Sequence, residues 1–498
     1  MEGTKWGPWL AWAWGLGLLG AVVAAEAAPI GEVAAVQDHL DQAGIEAGWV
    51  TFRDILEHGG LVFNARFNAL DGQGRPGTTG GGAPRAPTQP HTIRTSGPDA
   101  TSCTGCHAQP FPGGAGDFVA NVFVLAQTLD PVTFSVDAQF SNERNTLGMH
   151  GAGAIEMLAR EMTAELHRAR DAALSAAAAS AQPVRVRLTA KGVGFGFVTA
   201  LPDGRLDPTE IEGVDWDLII KPFHQKGAVI SIREFTNNAL NHHHGMQTTE
   251  RFGLGTDPDG DGIADELTVG DVTAATLWQA ALGNPTRVWP EDRDRRRAAR
   301  QGERLFGEIG CGGCHVPAMT LAARTFTEPN PYNPPGNLRP EDVTRPVSFD
   351  LTREGDAPHL RPAGPRGALV AAFTDLKRHD LNDSDYDHFA NEQVPQGMIN
   401  GFAPAASFTV APYPRPTREF LTRKLWDVGN TDPYGHRGDL STLTEAIYFH
   451  GGEARVQRDR FFALAPGEQA AVIEFLKTLQ VVGPNSGELP IPHGLAFQ

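Results

Sequence analysis

All four cysteines of the chain fall in two copies of one five-residue motif, and no other feature restricts its fold so strongly. The copies are Cys103-Thr104-Gly105-Cys106-His107 and Cys311-Gly312-Gly313-Cys314-His315. Two thiols at this spacing reach two carbons on one edge of a porphyrin, and the His that follows turns its imidazole under the iron. This is the attachment motif of haem c. The sequence therefore predicts two covalently bound haem c groups.

Three other interpretations of the motif explain less. A redox Cys-x-x-Cys does not require an adjacent His, and a disulfide within each motif explains neither His. A zinc ribbon pairs two Cys-x-x-Cys knuckles about 15 to 20 residues apart, whereas these two lie far apart in the chain. The predicted iron ligands are His107 and His315, and the predicted anchors are Cys103, Cys106, Cys311 and Cys314.

The first 27 residues have the pattern of a secretory signal peptide. Lys5 precedes an apolar stretch from Leu10 to Val23, and Ala25-Glu26-Ala27 is a small-x-small cleavage site. An uncleaved anchor is the alternative, but about 14 apolar residues fall short of the roughly 20 that span a bilayer. We therefore predict a periplasmic or otherwise exported protein. No later segment approaches 18 consecutive apolar residues, so the mature chain should have no membrane span.

The charge balance excludes some partners. The chain has 59 acidic and 42 basic residues and a net charge of −17. Nucleic acid and anionic membranes both demand a basic face, so neither is expected to bind. Small or cationic partners fit this balance better.

Hydrophobic periodicity predicts a mostly α protein. Helical patterns cover residues 31–58, 154–181, 228–240, 291–309 and 466–479. An alternating pattern covers the strand pair 184–198, and the Gly- and Pro-rich segment 71–90 has no periodicity.

The predicted fold is two cytochrome c-like haem domains with long loops and small β elements. The N-terminal haem domain is expected at residues 28–290, with insertions, and the C-terminal one at 291–498. The helices at 291–309 and 466–479 are expected to cross above the second haem.

Several runs in the second half resemble a known family. Residues Pro433–Ile447, PYGHRGDLSTLTEAI, resemble the PYxHDGxxxTLxEA signature of bacterial dihaem cytochrome c peroxidases and of relatives that modify a partner protein's tryptophans. Arg437 stands where that signature has Asp. The runs Phe373–Asp380, Thr422–Trp426 and His450–Ala454 are more similar to the di-haem oxidoreductase family, whose members are also called thiol oxidoreductases.

The resemblance implies different roles for the two haems. His450 falls where the peroxidases supply the second axial ligand of the C-terminal haem, so that iron would have His315 and His450 and would transfer electrons. The other interpretation is a helix-end His that caps carbonyl groups beside Gly451. By the same resemblance the N-terminal haem, held by His107, is the catalytic centre with an open or exchangeable sixth position.

Glu156 and His150 are the predicted catalytic residues. Peroxide cleavage needs a group that moves a proton between the two oxygens, and Gly148–Glu156 resembles the family's GxGxxE run near this pocket. The alternative for Glu156 is an acid at a helix N-terminus, paired with Arg160 four residues on. Met149 and His150 are alternative sixth ligands of the N-terminal haem.

Carboxylates recur at alternating positions in one loop. Asp257, Asp259, Asp261 and Asp265 occupy positions 1, 3, 5 and 9 of a calcium loop, with a Gly after the third. Thr268 stands where an EF-hand has its bidentate Glu. We predict a Ca²⁺ site here, and the alternative is a solvated acidic turn.

Two His groups and five Trp residues are further candidates. His242–His244 cannot all share one helix face, so at most one or two could serve a haem as propionate partner or resting ligand. His379 and Asp380 could form an oriented pair, with a surface pair as the alternative. Candidates for electron relay, although Trp is more often core, are Trp49, Trp216, Trp278, Trp289 and Trp426.

These features predict a periplasmic dihaem c-type oxidoreductase that resembles a peroxidase. Electrons would enter at the His315 haem, and an oxidant such as hydrogen peroxide would be activated at the His107 haem. A small redox protein or another oxidisable substrate would be the partner. The alternative is a dihaem electron-transfer cytochrome without substrate chemistry. Thiol oxidation would require thiols of a substrate, because the two motifs together use all four cysteines of the chain.

Overall fold

Helices joined by long loops form the framework of the chain. A computed structural model describes residues 31–74, 100–123, 141–258, 261–383 and 418–483. Within these ranges the helices are α1 (Gln42–Ala47), α2 (Phe52–Asn64), α3 (Ala152–Ser180), α4 (Ile232–His244), α5 (Thr249–Phe252), α6 (Val269–Ala280), α7 (Arg293–Glu308), α8 (Leu443–Tyr448), α9 (Arg455–Ala463) and α10 (Pro466–Leu476).

The strands are short and form small antiparallel sheets. They are β1 (Gly116–Phe123), β2 (Ser141–Thr146), β3 (Val184–Ala190), β4 (Val193–Ala200), β5 (Leu206–Asp207), β6 (Thr286–Arg287), β7 (Met319–Leu321), β8 (Thr325–Glu328), β9 (Val347–Asp350), β10 (Arg361–Ala363), β11 (Gly367–Val370), β12 (Arg378–Asp380), β13 (Glu419–Leu421) and β14 (Leu479–Gln480). The sheets are β1-β2, β3-β4-β5, β10-β11-β7, β8-β9, β12-β13 and β14-β6.

The predicted helices are largely present. The Ala-rich helix, the strand pair after it and the two C-terminal helices lie within a few residues of their predicted bounds. The segment predicted as helix 31–58 is instead divided between α1 and α2, because Gly48 ends α1 at φ 75° and Thr51 starts α2 with a capping box to Asp54.

The small strands between β7 and β13 were not predicted. Each spans only three or four residues, which is too short for an alternating pattern to be recognised. The predicted signal peptide and most of the segment 71–90 lie outside the described residues. The described residues from Ala34 onward form one compact unit, and the domain boundary at residue 290 stays a prediction.

Two helix pairs have the same crossing. The helices α2 and α6 form one pair, and α7 and α10 form the other. A Cβ added at Gly59 would overlap the carbonyl oxygen of Ala274, and one added at Gly302 would overlap that of Ala471. Only glycine permits such a close approach of two backbones. The crossing predicted for α7 and α10 is therefore present, and an equivalent crossing occurs earlier in the chain.

An aromatic pair lies one turn beyond each crossing. Four residues after Gly59 and Ala274 come Phe63 and Trp278, with ring centroids 4.5 Å apart. Four residues after Gly302 and Ala471 come Phe306 and Phe475, with centroids 5.4 Å apart. Phe63 lies beside His107 and Phe306 lies beside His315, so each pair ends beside a Cys-x-x-Cys-His motif.

The core consists of three clusters of buried apolar side chains. The largest surrounds α3 with β3 and β4, the second lies between α7, α8 and α10, and the third joins α2, α4 and α6. The two smaller clusters flank the two motifs. No helix in the described part of the chain is both long enough and apolar enough to cross a membrane.

Candidate functional site

His107, the histidine of the first motif, is oriented by a backbone carbonyl. Cys103–Gly105 forms a single 3₁₀ turn. The chain then folds back so that Gly114 lies beside the imidazole of His107. Nδ1 of His107 donates a hydrogen bond to the carbonyl oxygen of Gly114 at 3.2 Å. Burial lowers the pKa of His107 to about 4, so the ring is neutral and Nε2 has a free lone pair. This is the tautomer that an iron ligand needs.

The second motif repeats this arrangement. Nδ1 of His315 donates to the carbonyl oxygen of Phe373 at 3.1 Å, and burial lowers the pKa of His315 to about 4. Each imidazole also lies beside the aromatic ring of its preceding helix. The centroid distance is 6.3 Å for Phe63 and His107 and 6.3 Å for Phe306 and His315. The two motifs are thus equivalent in local structure.

His450 faces His315. Their ring centroids are 6.3 Å apart and their planes make an angle of 49°. An imidazole nitrogen binds a metal at about 2 Å, and the centre of its ring lies roughly 1 Å farther from the metal. Two imidazoles that face each other across one metal therefore have ring centroids about 6 Å apart. Nδ1 of His450 donates to the carbonyl oxygen of Ala446 at 2.7 Å, and burial lowers the pKa of His450. Nε2 is therefore free to bind a metal.

One cavity of about 440 Å³ connects the two motifs. Both cysteine pairs line it, together with His107, His315 and His450. Its wall also carries the cationic side chains of Arg423, Lys424 and Arg458. Such groups can pair with carboxylates like the propionates of haem. The cavity, the oriented imidazoles and the cationic wall fit two haem groups.

Two of the four thiols are poorly suited to redox exchange. Burial raises the pKa of the Cys103 thiol to about 12 and that of the Cys311 thiol to about 11. Disulfide exchange uses the thiolate, which these two environments disfavour. The four cysteines also form no disulfide.

Glu156 is buried in an ionic network. Its carboxylate accepts hydrogen bonds from the guanidinium of Arg160, from the Asn330 side chain at 2.8 Å and from the Ile232 backbone N–H at 2.7 Å. The ion pair with Arg160 that the sequence offered as the alternative is present. Its neighbour Ile155 lines the cavity, whereas the Glu156 carboxylate is held by these three groups.

His150 is buried near the cavity wall. Its Nδ1 donates to the carbonyl oxygen of Gly283 at 3.1 Å, and Nε2 is buried without a hydrogen-bond partner among the described residues. Burial lowers the pKa of His150 to about 4, with smaller opposing effects of the charges on Lys424 and Asp427. Those two residues and Met149 line the cavity.

The His cluster lies beside the first motif. Nε2 of His244 is 3.4 Å from Sγ of Cys103, and its Nδ1 donates to the Ala100 carbonyl oxygen. His243 lines the cavity. The side chain of His242 is not among the described side chains. The cluster therefore borders the attachment point of the first haem.

Sequence reasoning missed two histidines that line the cavity, His224 and His436. His224 lines the cavity with a φ of 62°, a conformation that is unusual for a residue with a side chain and frequent at functional sites. His436 also lines it and bonds Oε1 of Gln225 through Nδ1. His436 lies in the signature-like run, which was the available signal. No sequence pattern pointed to His224.

His379 pairs with Asp375 and Glu453 rather than with Asp380. Nε2 donates to Asp375 at 2.9 Å and Nδ1 donates to Glu453 at 2.7 Å. Burial lowers the pKa of His379, but hydrogen bonds to Asp375, Cys314 and Glu453 outweigh this and raise it to about 11. Asp375, His379 and Cys314 are close enough to form a metal site, but a protonated imidazole with both N–H groups engaged is not a ligand.

The described part of the acidic loop uses its carboxylates as turn acceptors. Asp257 accepts from the backbone N–H groups of Asp261 and Gly262, and Asp265 accepts from that of Gly255. Oδ2 of Asp261 is buried without a hydrogen-bond partner among the described residues. Asp259 lies outside the described residues.

The Trp residues differ in exposure. Trp49 is 81% exposed and Trp289 is 37% exposed. Trp278 packs on Phe63, and Trp426 is buried against Gly151. An electron relay through any of them stays a prediction.

Comparison with known proteins supports a di-haem class for this site. Residues 411–479 match the model of the family described as "Di-haem oxidoreductase, putative peroxidase". This segment includes the run Pro433–Ile447 and His450. The match confirms the resemblance to di-haem oxidoreductases that the sequence indicated.

Similarities to other proteins are weak. No curated protein matches the chain at a significant level. Among solved structures, hydrazine synthase of Kuenenia stuttgartiensis is 12% identical, with 95% of this chain and 100% of that chain covered and a TM-score of 0.37. A MauG-like protein associated with microbial copper homeostasis is 16% identical, with 55% and 76% covered and a TM-score of 0.28. Neither similarity is strong enough to define the fold or the function.

Proposed function

We propose that this chain is a periplasmic dihaem c-type oxidoreductase with one electron-transferring and one peroxide-reactive centre. The observation that carries the proposal is the pair of equivalent motifs on one cavity, of which the second has a facing imidazole. His315 and His450 would saturate the second centre, which suits electron transfer. The first centre, at His107, would then be the one that meets the oxidant.

The chain supplies anchors and ligands for this chemistry. Haem c bound at these residues would supply iron that changes oxidation state and reacts with peroxide. The four cysteines would hold the porphyrins through thioethers, and Nε2 of each motif His would bind the iron. Gly114 and Phe373 fix the imidazoles by accepting from Nδ1. Arg423, Lys424 and Arg458 would neutralise the propionates.

Of the two predicted catalytic residues, His150 has better support. Its Nε2 is buried without a hydrogen-bond partner among the described residues, and so is Oδ1 of Asp427, whose other carboxylate oxygen pairs with Lys424. Two buried acceptors without donors are typical of a site for an ordered water molecule. Because Asp427 lines the cavity, it would pass a proton from a bound peroxide to Nε2 of His150. Glu156 would instead stabilise the fold by holding Arg160, Asn330 and the start of α4.

The Ca²⁺ site at Asp257, Asp259, Asp261 and Asp265 is a secondary proposal. The unpartnered Oδ2 of Asp261 supports it, since a cation would satisfy this oxygen. The turn-forming bonds of Asp257 and Asp265 fit the solvated acidic turn equally well.

Electron paramagnetic resonance of the purified holoprotein tests the main proposal. We expect one low-spin ferric signal from the His315 centre and one high-spin or exchangeable signal from the His107 centre, which changes on addition of hydrogen peroxide. Two low-spin centres and no peroxide consumption would instead identify an electron-transfer cytochrome. The substrate would be a small redox protein or another oxidisable molecule.

A further inference from the structure

The helix α7 carries a stripe of arginines on its solvent face. The buried side of the helix consists of Ala299, Gly302, Leu305 and Phe306. On the opposite side, at spacings of four, three and four residues, stand four exposed side chains, which we call the arginine stripe: Arg293, Arg297, Arg300 and Arg304. The stripe is about 16 Å long, and it belongs to a protein with a net charge of −17.

One ion pair involves the arginine stripe among the described residues. Arg297 pairs with Asp294 at 3.3 Å, but the two side chains are 73% and 84% exposed, and such pairs contribute little. The carboxylate of Glu303 accepts a hydrogen bond from the guanidinium of Arg287, with an N–O distance of 2.7 Å. The guanidinium of Arg300 lies 5.5 Å from the ring centre of the half-exposed Trp289.

Helix stability does not explain the stripe. Like charges three or four residues apart destabilise a helix, and all three successive pairs of the stripe have such a spacing. The N-terminal end, where Arg293 and Arg297 lie, is also the end where the helix dipole disfavours cations.

The stripe runs toward the second motif. Arg304 precedes Cys311 by seven residues, which is about 10 Å along a helix. Arg460 is exposed at the same end and donates to the carbonyl oxygen of Ile309 at 3.4 Å. Among the described residues, a Cβ at Gly312 or Gly313 would meet no atom within 4 Å, and Gly313 is exposed, so the turn between the two cysteines reaches the surface there. Positive charge therefore borders an uncovered attachment turn.

We propose that the arginine stripe is the docking surface for an acidic one-electron redox protein that reduces the His315 centre. The inference rests on the electron-transfer role proposed for that centre. The reduced partner loses one electron and the His315 centre gains it, and no bond forms or breaks. Complementary charges accelerate such encounters. An extended anionic membrane would also meet the acidic remainder of the surface, whereas a small protein needs to touch only the stripe.

The test compares two holoprotein variants of equal charge. One is R293Q/R297Q/R300Q/R304Q, and the control is R53Q/R205Q/R353Q/R366Q, which removes four other exposed arginines. Stopped-flow absorbance measures haem reduction by reduced plant-type ferredoxin, an iron–sulfur protein with an acidic surface and a low reduction potential. At low ionic strength we expect the stripe variant to react about tenfold more slowly than wild type, with a weaker salt dependence. The control should stay within about twofold of wild type.

Two further measurements separate docking from electron transfer. Reduction by dithionite should proceed at the same rate in all three proteins, because it needs no protein docking. Titration of the ferric holoprotein with oxidised ferredoxin, which has no electron to donate, measures binding alone. Equal affinity of the stripe and control variants would overturn the docking proposal. Stripe-dependent binding with no electron reaching the His315 centre would support docking and contradict the proposed role of that centre.

Vesicles test the other class of partner. Vesicles of phosphatidylserine and phosphatidylcholine should not bind the wild-type holoprotein more tightly than the stripe variant. Stripe-dependent vesicle binding without stripe-dependent ferredoxin binding would overturn the proposal in favour of a membrane surface.

Discussion

His450 uses its two ring nitrogens for different purposes. Nδ1 donates to the Ala446 carbonyl oxygen near the end of α8, as the capping interpretation expected, and the ring faces His315. The capping bond and metal binding therefore do not compete. The bond fixes the tautomer that leaves Nε2 free.

His450→Ala tests the proposed ligand directly. Loss of the facing imidazole should convert the C-terminal haem from low-spin to high-spin and shift its reduction potential, because one strong-field nitrogen ligand is removed. Absorbance and electron paramagnetic resonance report both changes. His359→Ala, at an exposed His, is the control and should change neither. An unaltered low-spin signal in the His450 variant would show that another group is the ligand.

Glu156→Gln and His150→Gln should have opposite signatures. Neutralising Glu156 leaves the buried guanidinium of Arg160 without its main carboxylate, so we expect a loss of about 3 kcal/mol in the free energy of unfolding. Peroxide turnover well below the melting temperature should be retained. His150→Gln should instead slow turnover with a small effect on stability, since it removes the proposed proton acceptor. Denaturant titration and turnover assays on both variants distinguish the roles, and a slow but fully stable Glu156→Gln protein would reverse our assignment.

At the scale of elements, the two helix crossings are the repeated unit of the structure. Each combines a glycine, a partner carbonyl and an aromatic pair one turn later, next to a Cys-x-x-Cys-His motif. The amphipathic pattern predicted the helices, but which glycine would meet a neighbouring backbone depended on how the helices cross.

Gly302→Ala should disturb the second crossing. The new methyl group would overlap the carbonyl oxygen of Ala471, so α7 and α10 must separate, at a cost of about 1 to 3 kcal/mol. Gly307→Ala is a matched control on the same helix, where a Cβ meets no atom within 4 Å. It should stabilise the protein by about 0.5 to 1 kcal/mol. Melting temperatures of the two holoproteins should therefore move in opposite directions, and a shared direction would contradict the crossing.

A second prediction at the scale of elements concerns Ca²⁺ binding by the acidic loop that contains Asp257, Asp261 and Asp265. If Ca²⁺ binds, adding it to the chelator-treated holoprotein should raise the melting temperature, because a ligand that binds only the folded state stabilises it. Asp261→Asn removes the buried, unpartnered carboxylate oxygen and should abolish the gain. The same melting temperature with calcium and with chelator would favour the solvated turn.

At the scale of the whole molecule, distant segments meet around one cavity. His379 illustrates this, since its partners Asp375 and Glu453 come from different parts of the chain. The motif FTDLKRHD suggested a pairing with the adjacent Asp380. In the structure His379 and Asp380 are adjacent residues of the strand β12. Successive side chains of a strand point to opposite faces, so these two do not meet.

The pairing of His379 predicts a pH dependence of stability. The pKa of His379 is raised from 6.5 to about 11 in the folded chain, so folding retains a proton that the unfolded chain releases. Its contribution to stability is therefore complete below pH 6.5, declines as pH rises and is lost through about pH 11. The stability difference between wild type and His379→Gln, measured by denaturant titration, should shrink from pH 6 to pH 10. A difference that is constant or grows over this range would show that His379 is not held protonated.

The sequence by itself determined the haem attachment sites. Both thiols and the proximal His lie within five residues, so the chemistry is local and needs no knowledge of the fold. The longer helices were also predictable, because a periodic pattern over many residues dictates which face is buried. The family resemblance placed His450, although its geometry came only with the structure.

Only the tertiary structure decided how the remaining polar residues are used. Glu156 could be an acid in a pocket or a partner of Arg160, and the choice depended on Asn330, 174 residues away. His224 and the partners of His379 had no local signal, because side chains distant in sequence determine their surroundings. The arginines of α7 were visible in the sequence, but their position beside an open attachment turn follows from how α7, α9 and the second motif pack together.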